Sequence, residues 1–88
     1  MTDIPQELST AGWTRSDDGK AIEKTFRFKG FPDALAWMVR AGFAAEAMNH
    51  HPEWRNVYNR VEVRMTTHDA GGLTGLDFDL ATKMEALV

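Results

Sequence analysis

The sequence predicts an α+β fold in which three helices pack on one face of a four-stranded antiparallel sheet, in the order α-β-β-α-β-β-α. Two observations predict it. Two pairs of short segments alternate apolar and polar residues around a turn, and three other segments carry apolar residues at helical spacing. Because helices and hairpins follow one another, the helices are expected to cover the sheet as a second layer. The 88 residues leave room for one domain, spanning residues 1–88.

The first three elements are a short helix and a hairpin. Residues 4–11 are predicted to form a short N-terminal helix. Pro5 is tolerated in its first turn because the N–H that proline lacks would be unpaired there. The carboxylate-rich run 16–19 predicts a turn between a strand near Trp13 and a second strand. That strand alternates over residues 22–28, although Lys24 interrupts its apolar face.

The middle of the chain predicts a long helix from Pro32 to about Asn49. Six alanines between residues 34 and 47 add helix propensity. The predicted apolar side is broad and comprises Leu35, Met38, Val39, Gly42 and Ala45, widened by Trp37, Ala41, Ala44 and Met48. Two explanations of its width stay open, tight packing on the sheet and contact with another subunit.

A second hairpin follows Pro52, which ends the long helix. Its strands are predicted at residues 54–58 and 61–67, with a two-residue turn at 59–60 that pairs Trp54 with Met65. The face opposite to this pair carries Arg55, Glu62 and Arg64.

The last helix begins after a glycine-rich loop. Thr74 and Asp77 have the spacing of a helix N-cap and its first-turn carboxylate. The core-facing residues of this helix are predicted to be Leu73, Leu76, Leu80, Met84 and Leu87.

Composition excludes several functions. A net charge of −3 and a pI near 5.5 give no electrostatic footprint for nucleic acid or an anionic membrane. The absence of cysteine excludes disulfides, thiol catalysis and cysteine-ligated metals. No apolar run approaches the roughly 20 residues of a membrane span, and the N-terminal residues do not resemble a signal peptide. We therefore expect a soluble, cytoplasmic domain.

All three histidines lie at predicted element ends, which suggests proton-transfer chemistry. Imidazole is suited to moving protons near neutral pH, and a neighbouring carboxylate fixes its orientation. Glu46, one helical turn before His50, is expected to serve the His50 region, and Asp77 is expected to serve His68. Other interpretations stay open: surface histidines, a first-turn carboxylate at Asp77, or a zinc site built from the histidines and a carboxylate.

An ordered set of residues resembles the signature of the pterin-4a-carbinolamine dehydratases. The set runs Glu46-x-x-x-His50-His51-Pro52, followed at the family's spacing by Tyr58, His68 and Asp77. The segment from Asn49 to Asn59 looks like that family almost residue for residue. The likeness extends over roughly residues 12–88 and includes Gly12-Trp13 and Leu73-Thr74-x-x-Asp77-x-x-Leu80-Ala81.

The resemblance implies the α+β fold and an enzyme that needs neither a metal nor an organic cofactor. Members dehydrate the 4a-hydroxy-tetrahydropterin released by aromatic amino acid hydroxylases, yielding quinonoid dihydropterin and water in tetrahydrobiopterin recycling. A hydroxylase would then act in the same pathway. The family's homodimers or homotetramers would give the wide apolar side of the long helix a use.

The resemblance also implies roles for individual residues. His50 and His68 would form the proton-transfer pair, and His51 would position the pterin ring. Carried over in the same way, the supporting residues are Asp77 orienting His68, Glu46 in the His50 region, Pro52 holding the turn, and Trp13 walling the pocket. A second function stays open, since some relatives bind transcription factors or hydroxylases, and the chain would then be an interaction module with little catalysis.

Overall fold

A computed structural model describes residues 3–88 and has the predicted element order. The first two residues of the N-terminal segment, over which no signal peptide is expected, lie outside the described residues. The strands form one antiparallel sheet in the order β1-β2-β4-β3. The elements are α1 (Gln6–Thr10), β1 (Thr14–Arg15), β2 (Ile22–Arg27), α2 (Phe31–Met48), β3 (Glu53–Val57), β4 (Arg60–Met65) and α3 (Gly75–Ala86), with a short 3₁₀ turn at His68–Ala70.

The first hairpin forms where the sequence predicts it, and the structure explains the charge on its apolar face. Lys24 lies on the helix-covered side of β2, but its ammonium group is 2.6 Å from the Glu85 carboxylate of α3. The same ammonium lies 4.5 Å from the ring centre of Phe26. A charged side chain is thus accommodated at the edge of the core because an opposite charge and an aromatic face receive it.

The buried face of α2 is only one part of the broad apolar side that the sequence predicts. The residues packed on the sheet are Ala34, Trp37, Ala41 and Ala45. Leu35 and Val39, which belong to the predicted apolar side, are about half exposed, at 47% and 50%. The physical reason is the size of Trp37: three alanines on its side of the helix let the backbone approach the sheet while the indole fills the space. Its ring centre lies 4.4 Å from that of Phe26, and its Nε1–H donates to the Met84 carbonyl at 3.1 Å.

The second hairpin has the predicted faces but a different register. The turn is at Tyr58 and Asn59, so Trp54 pairs with Val63 instead of Met65. The predicted turn at 59–60 is wrong because Arg60 is already within β4, paired on both sides. Since the partner changes by two residues, each side chain keeps its face of the sheet.

The start of α3 is confirmed, and its buried stripe is only partly as predicted. Thr74 is the N-cap, and with Asp77 it forms a capping box. Leu76 is 42% exposed, so its predicted place in the core is wrong, while Phe78 and Ala81 are buried instead. Within the described part of the chain, no helix combines the length and apolarity needed to cross a membrane.

Candidate active site

The end of α2 determines where His50 lies. Asn49 adopts a left-handed conformation with φ of 51°, which reverses the chain direction. The N–H of His50 donates to the Ala45 carbonyl at 3.1 Å, and the N–H of Asn49 donates to the Glu46 carbonyl at 3.0 Å. This is a Schellman ending, in which asparagine is one of the few non-glycine residues to accept the positive φ. The helix therefore stops before His50 and turns that ring toward α3.

His50 pairs with Asp77 inside the protein. The His50 Nε2 lies 2.7 Å from Asp77 Oδ1, and the two residues are 8% and 0% exposed. The expected pairing of Asp77 with His68 is therefore wrong in this structure. The helical-turn argument that placed Glu46 beside His50 also does not apply, because the Schellman ending breaks the four-residue periodicity before His50.

The second oxygen of Asp77 caps α3 and fixes the carboxylate. Asp77 Oδ2 accepts from the Thr74 backbone N–H at 3.0 Å and from the Thr67 hydroxyl at 2.8 Å. Because the Thr67 hydroxyl has one hydrogen, the 2.8 Å contact between the two threonine hydroxyls has Thr74 donating to Thr67. The helix-capping and histidine-orienting interpretations of Asp77 are thus compatible, since each uses a different oxygen.

The neighbouring imidazole of His51 pairs with Glu46. The distance from His51 Nε2 to Glu46 Oε1 is 2.8 Å, and both side chains are more than half exposed. Glu46 therefore contacts His51, not the His50 region for which it was expected. Pro52 follows directly and immediately precedes β3, so the chain enters the strand three residues after His50.

His68 lies in the short turn after β4. That turn is closed by two backbone hydrogen bonds between Thr67 and Gly72. The His68 ring is 76% exposed, and its Nε2 lies 2.9 Å from Oε2 of Glu53, the first residue of β3. Glu53 was not among the site residues expected from the sequence. Its position next to the end of β4 could have indicated it, but only with the correct register of the second hairpin, in which Glu53 pairs with Arg64.

The three histidines line one cavity of about 260 Å³, shared with Asn49, Thr66, Thr67, Asp69 and Leu76. Each ring has its Nε2 within 2.9 Å of a carboxylate on a different element. When a neutral ring carries its hydrogen on Nε2, next to the carboxylate, Nδ1 is left as the nitrogen that accepts a proton. The cavity is therefore lined by three imidazoles, of which His50 and His51 are hydrogen-bonded to their carboxylates and His68 lies at ion-pair distance from Glu53. Among residues 3–88, no three side chains are grouped to hold a metal ion.

Trp13 lies elsewhere. It is 1% exposed in the core, packs edge-to-face on Phe26 at 5.8 Å, and donates its Nε1–H to Glu85 at 2.9 Å. The expectation that Trp13 walls the histidine pocket is therefore wrong within this chain. The apolar indole is buried between the sheet and the helices, and its single N–H is hydrogen-bonded to Glu85 at the edge of the core.

The open face of the sheet forms a separate, wider depression of about 640 Å³. Charged pairs cover it, and Asp18 lies beside it in contact with Arg64. A hydrogen bond from Ser16, followed by bonds from the Lys20 backbone and Arg64, lowers the pKa of Asp18 from 3.8 to about 2. A hydrogen bond from Arg60 is the main cause of a lowered pKa at Glu62. No histidine lines this depression.

Comparison with known proteins places the chain in one family. The family model described as pterin 4 alpha carbinolamine dehydratase matches residues 1–87. A relative from Rhizobium meliloti, named as a pterin-4-alpha-carbinolamine dehydratase, is 60% identical over 74 residues, covering 84% of this chain and 71% of its own. Another of that name, from Opitutus terrae, is 54% identical over 89 residues and covers 99% of this chain and 90% of its own.

A solved structure agrees with these relatives. The crystal structure described as the transcriptional coactivator/pterin dehydratase from Brucella melitensis superposes with a TM-score of 0.86 at 44% identity. The match covers 93% of this chain and 89% of that one. With the fold, the family model and the close relatives in agreement, the chain belongs to the pterin-4-alpha-carbinolamine dehydratase family.

Proposed function

We propose that this protein dehydrates a 4a-hydroxy-tetrahydropterin to quinonoid dihydropterin and water. The observation that carries the proposal is the convergence of His50, His51 and His68 on one cavity, each with a carboxylate on its Nε2. Membership of the family and the names of the close relatives support the same substrate class. Such a reaction would return an oxidised pterin to a tetrahydrobiopterin-type recycling pathway downstream of an aromatic amino acid hydroxylase.

The reaction requires only proton transfers from the protein. The N5 lone pair forms the C4a=N5 double bond while the C4a–O bond breaks, the departing oxygen takes a proton to become water, and N5 gives up its hydrogen. Two positioned imidazoles supply these steps, one giving a proton to oxygen and one accepting a proton from N5. No electron leaves or enters the substrate, so proton donors and acceptors held at fixed positions are sufficient.

Within this scheme, His50 and His68 are the proton-transfer pair, and His51 positions the ring. Asp77 holds His50 through the 2.7 Å contact, while Glu46 holds His51 at 2.8 Å. The two members of the pair differ in setting: His50 is buried against a fixed carboxylate, whereas His68 is exposed on a short turn. Two rings that line one cavity suit a reaction with proton transfers at two substrate atoms.

Turnover of synthetic 4a-hydroxy-tetrahydropterin tests the proposal. His50→Ala and His68→Ala should each lower kcat/KM by roughly 10²–10⁴, the usual contribution of a general acid or base. Glu62→Gln, a carboxylate change on the open sheet face, should leave the rate unchanged. If both histidine variants retain the original rate, or if the unaltered protein does not turn the substrate over, the proposed function is wrong.

A second candidate function is that of an interaction module. Its specific support is the Brucella melitensis relative, whose description includes the words transcriptional coactivator. A stable complex with a transcription factor or a hydroxylase that survives replacement of all three histidines, in a protein without dehydratase turnover, would favour this function over catalysis.

We also propose that the protein is a homodimer or homotetramer, assembled through α2. The helix exposes Phe31, Leu35, Val39 and Phe43 at four-residue spacing, away from the stripe buried on the sheet. Phe43 is 73% exposed. Light scattering should give a mass two or four times 9.9 kDa, and Leu35→Glu with Val39→Glu should reduce it to one chain. A monomer before substitution would contradict this assembly.

A further inference from the structure

Glu53 connects the histidine cavity with the open face of the sheet. Its two carboxylate oxygens have different partners: Oε2 lies 2.9 Å from His68 Nε2, and Oε1 lies 3.5 Å from Arg64 Nε. Glu53 is the first residue of β3, and its main chain pairs with Arg64 of β4 in the sheet register. The backbone of Glu53 is therefore fixed by strand pairing.

Arg64 holds the carboxylate from the other side. Besides Glu53, its guanidinium contacts Glu23 Oε2 at 3.2 Å and Asp18 Oδ2 at 3.3 Å. Three carboxylates from three segments thus surround one guanidinium, whose planar geometry suits several simultaneous contacts. This cluster places positive charge beside Oε1 of Glu53, while Oε2 lies next to His68.

His68 needs such a restraint more than the other two histidines. Its ring is 76% exposed and belongs to a turn of three residues. An exposed side chain samples several rotamers, and restricting it to the one that reacts costs conformational entropy. A ring that a carboxylate already restrains has lost this entropy before the substrate binds. His50, in contrast, is already restrained by burial and by Asp77.

We propose that Glu53 is the positioning residue of His68, the part that the sequence analysis gave to Asp77. The inference rests on the proposed function. Glu53, with Oε2 at ion-pair distance from Nε2, favours the Nε2–H form of His68, orients the ring, and leaves Nδ1 to exchange a proton with the substrate. Each of the three imidazoles then has its own carboxylate: Asp77 for His50, Glu46 for His51 and Glu53 for His68.

The kinetic test compares Glu53→Gln with Glu62→Gln. The two carboxylates are 46% and 41% exposed, both lie on the open face, and both contact arginine, but only Glu53 contacts His68. Glu53→Gln should lower kcat about 10-fold, a part of the roughly 10²–10⁴ that a whole acid–base group supplies. KM and the melting temperature should stay unchanged, because an exposed ion pair contributes little to folding. Glu53→Asp, which keeps a carboxylate, should recover part of the loss.

A double-mutant cycle separates positioning of His68 from a general effect. In the His68→Ala background, Glu53→Gln should have no further effect on kcat, since the ring that it positions is gone. An equal loss in both backgrounds, or an equal loss in Glu62→Gln, would overturn the proposal.

Nuclear magnetic resonance supplies a readout that needs no turnover. The imidazole carbon and proton signals of His68 should shift in Glu53→Gln and not in Glu62→Gln, while those of His50 stay in place. Unmoved His68 signals would refute the positioning contact even if the enzyme is active. Shifted signals in a protein without dehydratase turnover would instead retain the contact and reject the proposed function.

Discussion

Asp77→Asn tests the link between folding and chemistry at the buried centre of the site. The carboxylate accepts three hydrogen bonds, one from His50 on Oδ1 and two from Thr67 and Thr74 on Oδ2. An asparagine can keep the last two on its amide oxygen, but its NH₂ group then faces His50 Nε2. The neutral ring must move its hydrogen to Nδ1 to accept this donor, and Nδ1 is the nitrogen needed for proton exchange.

The size of the effect follows from these contacts. A hydrogen bond to a charged group contributes about 1.5–3 kcal/mol and a neutral one about 0.5–1.5, so the free energy of unfolding should fall by about 1–2 kcal/mol. For a domain of this size, each kcal/mol lowers Tm by about 4–8 °C. Activity should fall much further, by roughly 10²–10⁴, because the remaining ring has the wrong tautomer.

Denaturant unfolding and steady-state turnover measure the two effects separately. Asp79→Asn is the matched control, since Asp79 lies on the same helix with its side chain exposed, and its unfolding free energy should change by less than about 0.5 kcal/mol. If Asp77→Asn is destabilised while its turnover is unchanged, Asp77 only caps the helix. If it is as stable as the control, the buried hydrogen-bond arrangement is wrong.

Three further predictions concern the fold. On α3, Phe78→Ala should lower the free energy of unfolding in urea by about 3–5 kcal/mol, whereas Leu76→Ala, at a more exposed position, should lower it by under about 1 kcal/mol. A larger loss in Leu76→Ala than in Phe78→Ala would show that Leu76 belongs to the core. Because the pKa of Asp18 falls from 3.8 to about 2 in the folded protein, its stabilisation is present above pH 3.8 and is lost as the pH falls toward 2. Urea unfolding between pH 5 and 2 should therefore show a weaker acid dependence in Asp18→Asn but not in Asp17→Asn, and equal curves for all three proteins would contradict the assignment. Tyr58 has a left-handed φ of 50°, so Tyr58→Asn should raise stability by up to about 1 kcal/mol relative to Tyr58→Phe, as measured by Tm, and a lower Tm would show that the ring contributes more than the strain costs.

The local pattern of the sequence determined the element order and most element boundaries. Alternation and turn residues located both hairpins, and Thr74 with Asp77 marked the start of α3. These features depend on residues close in sequence, where propensity and hydrogen bonding act directly. The ordered residues from Glu46 to Asp77 likewise pointed to the family to which the chain belongs.

Side-chain partners were decided only by the tertiary structure. Periodicity gave α2 a broad apolar side, but the volume of Trp37 against the sheet selected which stripe is buried. The turn register depended on Arg60 pairing with strands on both sides.

The spacing of residues along the sequence also did not predict the carboxylate partner of each histidine. The left-handed residue Asn49 turns His50 toward Asp77, which leaves His68 to Glu53 at the start of β3. Spacing along the chain shows which groups are available, whereas contact between distant residues depends on how the chain turns and which volumes fill the core. For that reason the three imidazoles were foreseeable from the sequence, whereas Asp77 and Glu46 were assigned to other rings and Glu53 was not assigned at all.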